Sequence, residues 1–134
     1  MLKAQKGFTL IELVVVIVLL GILGVTALAK YQDLSADAYT STNSGIASEI
    51  SSAAAINYAA SIVGTADVTM DAGTDDCTTA QLQGLFASGT FPTGYGSSAG
   101  AGSCAAAGDT YTCSIQDTGS LGTASTTTII CTGG

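Results

Sequence analysis

Histidine is missing from this chain of 134 residues, and lysine and arginine together number only three against ten aspartates and glutamates. Acid–base catalysis usually recruits histidine or a tuned glutamate or lysine, so the missing histidine argues against an enzyme. The many serines and threonines do not change this view, because a hydroxyl nucleophile needs a neighbouring base to activate it. The composition therefore predicts a protein with no catalytic residue, and we expect it to need no cofactor.

Basic residues are too scarce for a nucleic-acid site. Lys3 and Lys6 precede Gly7, which leaves Lys30 as the single basic side chain in the rest of the sequence. Binding of a phosphate backbone depends on clustered lysine and arginine side chains that release counterions. We expect no direct binding of nucleic acid by the isolated chain.

The cysteines indicate disulfide bonds and not a metal site. They form no C-x-x-C pair, and no histidine accompanies them to suggest zinc. An even number favours two disulfides, and four cysteines allow three pairings. We favour Cys77 with Cys104 and Cys113 with Cys131, because the last two lie on neighbouring predicted strands that a turn would bring together.

A long apolar run is the main feature that the sequence does contain. The segment from Phe8 to Ala29 is predominantly apolar and carries one charged residue, Glu12. As a helix it would be about 33 Å long, enough to cross a hydrocarbon core of about 30 Å. A secretory signal is cut off after its apolar region, whereas here the candidate cleavage glycine, Gly7, precedes the run, so the run is predicted to stay in the mature protein. Because Lys3 and Lys6 precede it, the positive-inside rule places that end in the cytoplasm.

The sequence Lys6-Gly7-Phe8-Thr9-Leu10-Ile11-Glu12, followed by an unbroken apolar run, resembles the start of type IV prepilins and of the pseudopilins of type II secretion. The resemblance implies that a prepilin peptidase cuts between Gly7 and Phe8 and that the new Phe8 amine is N-methylated. It also implies an inner-membrane protein before assembly and, afterwards, a homopolymer built by the pilus assembly machinery. Pilins commonly have a helix-kinking proline where this chain has Ala29, so we expect the helix to continue through that position.

Glu12 needs a charged partner in an apolar environment, because an unpaired charge in hydrocarbon costs at least a few kcal/mol. Removal of the leader would leave a positive amine on Phe8, one helical turn from this carboxylate. We predict that Glu12 pairs with the Phe8 amine of its own chain or of a neighbouring chain during filament assembly. The alternative is a signal anchor whose glutamate reaches the membrane interface.

The pattern divides the chain into four parts. Residues 1–7 are the leader, and residues 8–29 are the membrane-spanning or filament-core half of a helix. Residues 30–64 continue that helix as the spine of an outer domain, with Gly64 as the predicted C-cap, and residues 65–134 form a globular head. Apolar and small residues recur on one face of the second half, at Tyr39, Ile46, Ile50, Ala53, Asn57 and Ala60.

The first part of the head is predicted to be mostly loop. A capping-box pattern that begins at Thr78 predicts one short helix, from about Thr78 to Ala87. The run from Gly96 to Gly102 is rich in glycine and serine, which is typical of a turn or loop. Three carboxylates lie close together before Cys77: Asp71, Asp75 and Asp76. Major pseudopilins bind calcium through such a cluster, but these residues lack the spacing of an EF-hand. We therefore interpret them as a solvated acidic loop that binds no metal.

The last part of the head is predicted to be a β-hairpin. Apolar and polar residues alternate from Tyr111 to Ile115, and a β-branched run extends from Thr126 to Cys131. Turn residues lie between the two segments, which predicts two antiparallel strands. A third strand would come from residues 66–70 or from the region of Phe91. The predicted fold is therefore α+β, with a small antiparallel sheet on the second half of the helix. The resemblance implies the lollipop shape of a pilin, with a protruding helix and a globular head.

Three functional interpretations follow from these features. We favour the major structural subunit of a type IV pilus, an extracellular filament that serves adhesion, motility or DNA uptake. The first alternative is a pseudopilin of a type II secretion system, which calcium at the acidic loop would favour. The second is a membrane-anchored adhesin or binding module, which the intramembrane Glu12 argues against.

Overall fold

The structure is a computed structural model that describes residues 7–66, 68–70 and 77–133. The predicted acidic loop at Asp71, Asp75 and Asp76 lies outside the described residues. These residues form two helices, a 3-10 turn and three strands, in chain order: α1 (Leu10–Ile62), α2 (Thr79–Leu82), the turn (Gln83–Leu85), β1 (Tyr95–Gly102), β2 (Thr110–Asp117) and β3 (Ser125–Ile130). A long amino-terminal helix with a small antiparallel sheet confirms the α+β prediction.

The chain divides into two compact units, Met1–Leu34 and Ser35–Gly134, and α1 contributes to both. In the first unit α1 is long and apolar enough to cross a membrane, as judged from length and composition. Its large apolar side chains in this unit are all exposed, from Leu10 at 80% to Val14 at 39%, and Phe8, just before the helix, is 91% exposed. The second unit contains the sheet and the hydrophobic core.

The ends and the continuity of α1 follow from its sequence. The helix runs through Ala29, as predicted, because no proline interrupts it. After Ile62 the chain forms a Schellman motif, in which the Thr65 N–H donates to Ala60 O at 2.9 Å and the Gly64 N–H to Ser61 O at 3.0 Å. Gly64 has a φ of 74°, a left-handed conformation that glycine adopts without strain, and the predicted C-cap is confirmed.

The buried face of α1 is shifted from the predicted one. Ile46, Ile50 and Asn57 are buried as predicted, whereas Tyr39, Ala53 and Ala60 are only half-buried. The face is completed by residues that sequence reasoning passed over: Asn43, Ala47 and Ala54. Two of these are alanines, and such small side chains allow the sheet to pack close to the helix axis.

The three strands form one antiparallel sheet in the order β1-β2-β3. The predicted hairpin is confirmed, since Thr112 faces Thr128 and Ser114 faces Thr126 across β2 and β3. The third strand, β1, occupies residues that were predicted to form a loop, so that prediction was wrong. Its glycines allow close packing on β2, because a Cβ at Gly102 would lie 2.6 Å from the Thr110 carbonyl oxygen.

The short helix is confirmed but is smaller than predicted. The Thr78 hydroxyl accepts a hydrogen bond from the Gln81 N–H at 3.2 Å, which is the capping bond that the sequence predicts. The Gln81 side chain does not complete the capping box, because it donates to the Thr69 carbonyl oxygen at 2.8 Å. The helix therefore gives way after Leu82 to a 3-10 turn.

The four cysteines form two disulfides, but the favoured pairing was wrong. Cys77 is bonded to Cys113, and Cys104 to Cys131. Cys113 faces Thr127 across the hairpin, and Cys131 lies four residues after Thr127, just past the end of β3, which puts it about 13 Å away along the strand direction at 3.3 Å per residue. A disulfide cannot span that distance, because its Cα atoms lie within about 7 Å. Both disulfides are buried in the core.

Candidate assembly site at the start of the long helix

The start of α1 is built around Thr9 and Glu12. The Glu12 carboxylate accepts hydrogen bonds from the Thr9 N–H at 3.0 Å and from the Thr9 hydroxyl at 2.9 Å. In return, the Glu12 N–H donates to the Thr9 hydroxyl oxygen at 3.3 Å. This reciprocal pattern is a capping box, which satisfies N–H groups that have no partner within the helix.

Sequence reasoning missed the role of Thr9, although the signal was present. Thr9-Leu10-Ile11-Glu12 has the threonine-x-x-glutamate spacing of a capping box, directly before the apolar run. Glu12 was interpreted only as a buried charge that needs a partner. The structure gives the carboxylate a second role, since it fixes where α1 begins.

The carboxylate has remaining capacity for a further donor. Both bonds from Thr9 end on Oε2, and among the described residues Oε1 accepts no hydrogen bond. Phe8 directly precedes Thr9, so an amine on Phe8 would arise at the same end of the helix. The positive end of the helix dipole also lies there, and it favours a negative charge in the first turn.

The apolar segment around this site is uncovered within a single chain. Its exposed side chains make a continuous apolar surface that is far larger than a soluble monomer normally shows. The segment is followed by Lys30, which lies 3.8 Å from Asp33 in an exposed ion pair that contributes little stability. Such a surface needs either a membrane or other protein chains to cover it.

The aspartates of the head hold turns in place. Asp109 accepts hydrogen bonds from the N–H groups of Ala105 at 3.0 Å and Ala106 at 2.9 Å. Asp117 is buried, and its carboxylate accepts from the N–H groups of Leu121 at 2.8 Å and Gly122 at 3.0 Å. These carboxylates are occupied by backbone donors, so they act as structural groups.

Asp117 also connects the hairpin turn to α1. The Asn43 amide lies 3.5 Å from the carboxylate and donates to the Thr123 carbonyl oxygen at 2.8 Å. The Thr123 N–H in turn donates to the Thr40 hydroxyl at 2.9 Å. The pKa of Asp117 is lowered mainly by the hydrogen bond from the Leu121 N–H. The bonds from Gly122 and Asn43 lower this pKa further, and burial of the carboxylate raises it. The ionised carboxylate is thus the form that this cluster stabilises.

Within residues 7–66, 68–70 and 77–133, no three histidine, cysteine or acidic side chains are grouped as a metal site would require. The predicted assembly residues Phe8 and Glu12 both lie at the start of α1, and the Glu12 carboxylate is bonded to Thr9, which directly follows Phe8. The predicted cleavage position between Gly7 and Phe8 directly precedes them. The assembly and processing roles of these residues are developed as a proposal below.

A family model described as the prokaryotic N-terminal methylation motif matches residues 2–28 of the chain. This range includes the whole candidate site and nearly all of the apolar run. It ends before the second unit, so the match describes the amino-terminal segment and says nothing about the head.

Several characterised proteins are similar to part of this chain. A fimbrial protein of Pseudomonas aeruginosa is 57% identical over 35 residues, which is 26% of this chain and 23% of that protein. The type IV major alpha-pilin of Moraxella bovis is 52% identical over 44 residues, covering 33% and 28% of the two chains. The type IV major pilin protein PilE1 of Neisseria gonorrhoeae is 60% identical over 37 residues, covering 28% and 22%. The aligned part is about a quarter of each relative's length, and no solved structure matches the chain significantly.

Proposed function

We propose that this chain is a type IV pilin, the major structural subunit of an extracellular filament that polymerises through its amino-terminal helix. The methylation motif and the relatives named as fimbrial proteins and type IV pilins support a pilin subunit. Pilins are structural subunits and not enzymes, so these names also support the prediction of a non-enzymatic protein. The filament would serve adhesion, surface motility or DNA uptake.

The proposal depends on one observation. The exposed apolar helix begins with the Glu12 carboxylate, which is bonded to Thr9, and Thr9 directly follows Phe8, the residue that would become the amino terminus. Hydrolysis of the Gly7–Phe8 bond by a prepilin peptidase would release residues 1–7 and leave a free amine on Phe8. N-methylation converts this primary amine into a secondary one, which is still protonated at neutral pH. The positive charge that Glu12 requires is therefore retained after modification.

Assembly would use the free capacity of Glu12. In the membrane the carboxylate is bonded to Thr9 and to the Phe8 amine of the same chain. When the apolar helices pack in a filament, the amine of a neighbouring chain can replace the chain's own amine at Oε1. A buried charge that loses its partner costs about 3–5 kcal/mol, so the pair would both permit burial and select the axial register of each incoming subunit.

The partners of the chain follow from this assembly route. Before assembly the subunit would be anchored in the inner membrane, where it meets the prepilin peptidase and the pilus assembly machinery. Afterwards its main partners would be other copies of the same chain on the bacterial surface. A pseudopilin would be favoured by calcium at the acidic loop, which lies outside the described residues, so no structural observation supports it over the pilus.

Substitutions at the capping box separate the charge of Glu12 from its capping role. Glu12→Gln keeps the capping pattern, because glutamine can accept the Thr9 N–H bond, but it removes the charge. Thr9→Val removes the capping hydroxyl and keeps the charge. We expect Glu12→Gln and Glu12→Ala to reduce sheared filament yield by at least about tenfold, given the cost of an unpaired buried charge. Thr9→Val should retain most of the yield.

The control is Glu49→Gln, the same change at an exposed position of α1 in the second unit. It should assemble normally. Mass spectrometry of assembled protein should find a chain that begins at N-methylated Phe8 and has no free thiol. Unchanged yield with Glu12→Gln would contradict the pairing, and a leader retained in assembled filaments would contradict the processing.

A further inference from the structure

The outer edge of β1 is a surface that the candidate assembly site does not use. The Thr118 N–H donates to Gly94 O at 2.9 Å, so these two residues form a hydrogen-bonded pair at the start of the ladder between β1 and β2. Hydrogen-bonded and non-hydrogen-bonded pairs alternate along an antiparallel ladder. The N–H and C=O groups of Tyr95, Ser97 and Ala99 therefore point away from β2. Within the described part of the chain, these outward groups have no hydrogen-bond partner.

This edge lacks most of the features that protect edge strands. The strand Tyr95–Gly102 contains no proline and no charged residue, and the next charge along the chain is Asp109. Charged side chains, prolines and covering elements are the usual means by which proteins prevent an edge strand from pairing with another chain. Among the described residues, the one such feature is a register shift between Ala99 and Gly102, where the strand is irregular. In the described part of the chain, no strand pairs with the outer edge of the regular section, Tyr95–Ala99.

The charge of the chain favours a second copy as the partner of this edge. With a net charge of −7, copies of the chain repel one another over much of their surface. The segment 95–108 has no acidic or basic side chain, so two copies can approach there at the lowest electrostatic cost. Small side chains at Gly96 and Ser98 leave space for the backbone of a second strand.

This inference rests on the proposed function as a filament subunit. We propose that Tyr95–Ala99 of two copies pair as antiparallel strands about a twofold axis at Ser97, so that each three-stranded sheet continues into the other. In this register Ser97 faces Ser97 and Tyr95 faces Ala99, and each facing pair exchanges both of its N–H···O bonds.

A twofold contact of this kind joins different filaments. Subunits within one helical filament are related by repeated head-to-tail contacts, whereas a twofold contact uses the same surface on both copies and closes on itself. It therefore cannot extend a filament. The pairing of β1 edges would instead hold neighbouring filaments side by side in bundles.

Two edge variants of the full chain test this pairing in filaments sheared from cells. Ser98 is exposed, and Ser98→Lys places like charges about 7–8 Å apart across the twofold axis. Ser97→Pro removes an outward N–H without removing a bond to β2, which is the position where an edge strand tolerates proline. The control is Thr126→Lys, which adds the same charge at an exposed position on β3, the strand at the opposite edge of the sheet.

Bundle width in electron micrographs and the fraction of filaments that sediment at low speed are the measurements. We expect the parent and Thr126→Lys to form bundles. We expect Ser98→Lys and Ser97→Pro to give the same amount of filament, but as single filaments, so that the fraction that sediments at low speed is several-fold smaller. Single filaments from the parent, or equal sedimentation of Ser98→Lys and Thr126→Lys, would overturn the pairing. Reduced surface attachment by Ser98→Lys with unchanged bundling would assign the edge to a different partner and also overturn it. If the parent formed no filaments at all, the filament-subunit proposal would fail as well.

Discussion

At the residue scale, Thr9 and Glu12 form one short pattern that has an observed capping role and a proposed assembly role. The carboxylate caps α1 through Thr9 and keeps one oxygen for another donor. The charge of Glu12 could be recognised from sequence, because a carboxylate in an apolar run is rare and costly. Its capping role could have been recognised too, from the spacing of the two residues.

Two buried hydroxyls of the sheet provide a matched pair of substitutions. The Thr127 hydroxyl donates to the Ala47 carbonyl oxygen at 2.6 Å, whereas the Ser97 hydroxyl is buried with no hydrogen-bond partner among the described residues. We expect Thr127→Val to lower the free energy of unfolding by about 1 kcal/mol, because a buried hydrogen bond is lost. Ser97→Ala should leave it unchanged or raise it, because burial of an unpaired hydroxyl is unfavourable.

Urea denaturation of the detergent-solubilised subunit, followed by circular dichroism, would measure both changes. The two variants serve as controls for each other, since each removes one hydroxyl from the same sheet. A loss of stability with Ser97→Ala equal to that with Thr127→Val would contradict the hydrogen-bonding difference between the two sites.

At the element scale, the contact between α1 and the β2–β3 turn depends on the ionised form of Asp117. Its pKa is lowered chiefly by the Leu121 N–H, so the folded state binds a proton less readily than the unfolded state does. Stability from this group is fully present above the unfolded pKa of about 3.9 and is lost as the pH falls through the lower folded pKa. Acid should therefore weaken the attachment of the turn to the helix.

Asp117→Asn tests this dependence. The variant should be less stable than the parent at pH 7, and the difference should shrink as the pH is lowered below about 4, where the Asp117 carboxylate is protonated first in the unfolded chain and then, at lower pH, in the folded one. Urea midpoints of the solubilised subunit at several pH values would measure it. Asp33→Asn, the same change at an exposed aspartate outside the second unit, is the control. A constant difference between Asp117→Asn and the parent at all pH values would contradict the linkage.

β1 shows why an element can be invisible to local pattern. Its glycines and serines are typical of a loop, but the Thr112 hydroxyl accepts from the Ala101 N–H at 2.8 Å and donates to the Ala101 carbonyl oxygen at 3.1 Å. These bonds, together with the ladder to β2, hold a sequence of low β-propensity in a strand. The partner strand, and not the segment itself, decides the conformation.

At the scale of the whole molecule, the two units have different sources of stability. The first exposes its apolar side chains, and we propose that a membrane or other copies of the chain cover them. The second has a small core, and its two disulfides connect loops to the sheet across 36 and 27 residues. Loop closure predicts that each disulfide contributes about 3–4 kcal/mol, mainly by restricting the unfolded chain.

Removing one disulfide at a time tests this contribution. Replacement of Cys77 and Cys113 by serine, or of Cys104 and Cys131 by serine, should lower the free energy of unfolding of the head by a few kcal/mol. Denaturant unfolding of the solubilised subunit measures the loss, and peptide mapping should find the remaining disulfide intact. A loss below about 1 kcal/mol for either pair would show that the unfolded chain is not restricted as proposed.

The sequence by itself determined the features that depend on neighbours along the chain. The apolar run, the end of α1 just before Gly64 and the hairpin of β2 and β3 follow from hydrophobicity, glycine conformation and alternation, all of which act within a few residues. Local physical chemistry was sufficient for these. The processing and assembly roles of Gly7, Phe8 and Glu12 were inferred instead from a resemblance, and they stay predictions.

Only the tertiary structure decided the disulfide pairing, the buried face of α1 and the third strand. Cys77 lies against Cys113 because the chain before α2 packs on the sheet, and Cys104 reaches Cys131 because β1 runs back along β2. These contacts join residues far apart in sequence, and their geometry follows from strand register and core packing. No local pattern contains that information, because many registers satisfy the same alternation and only the packed core selects one.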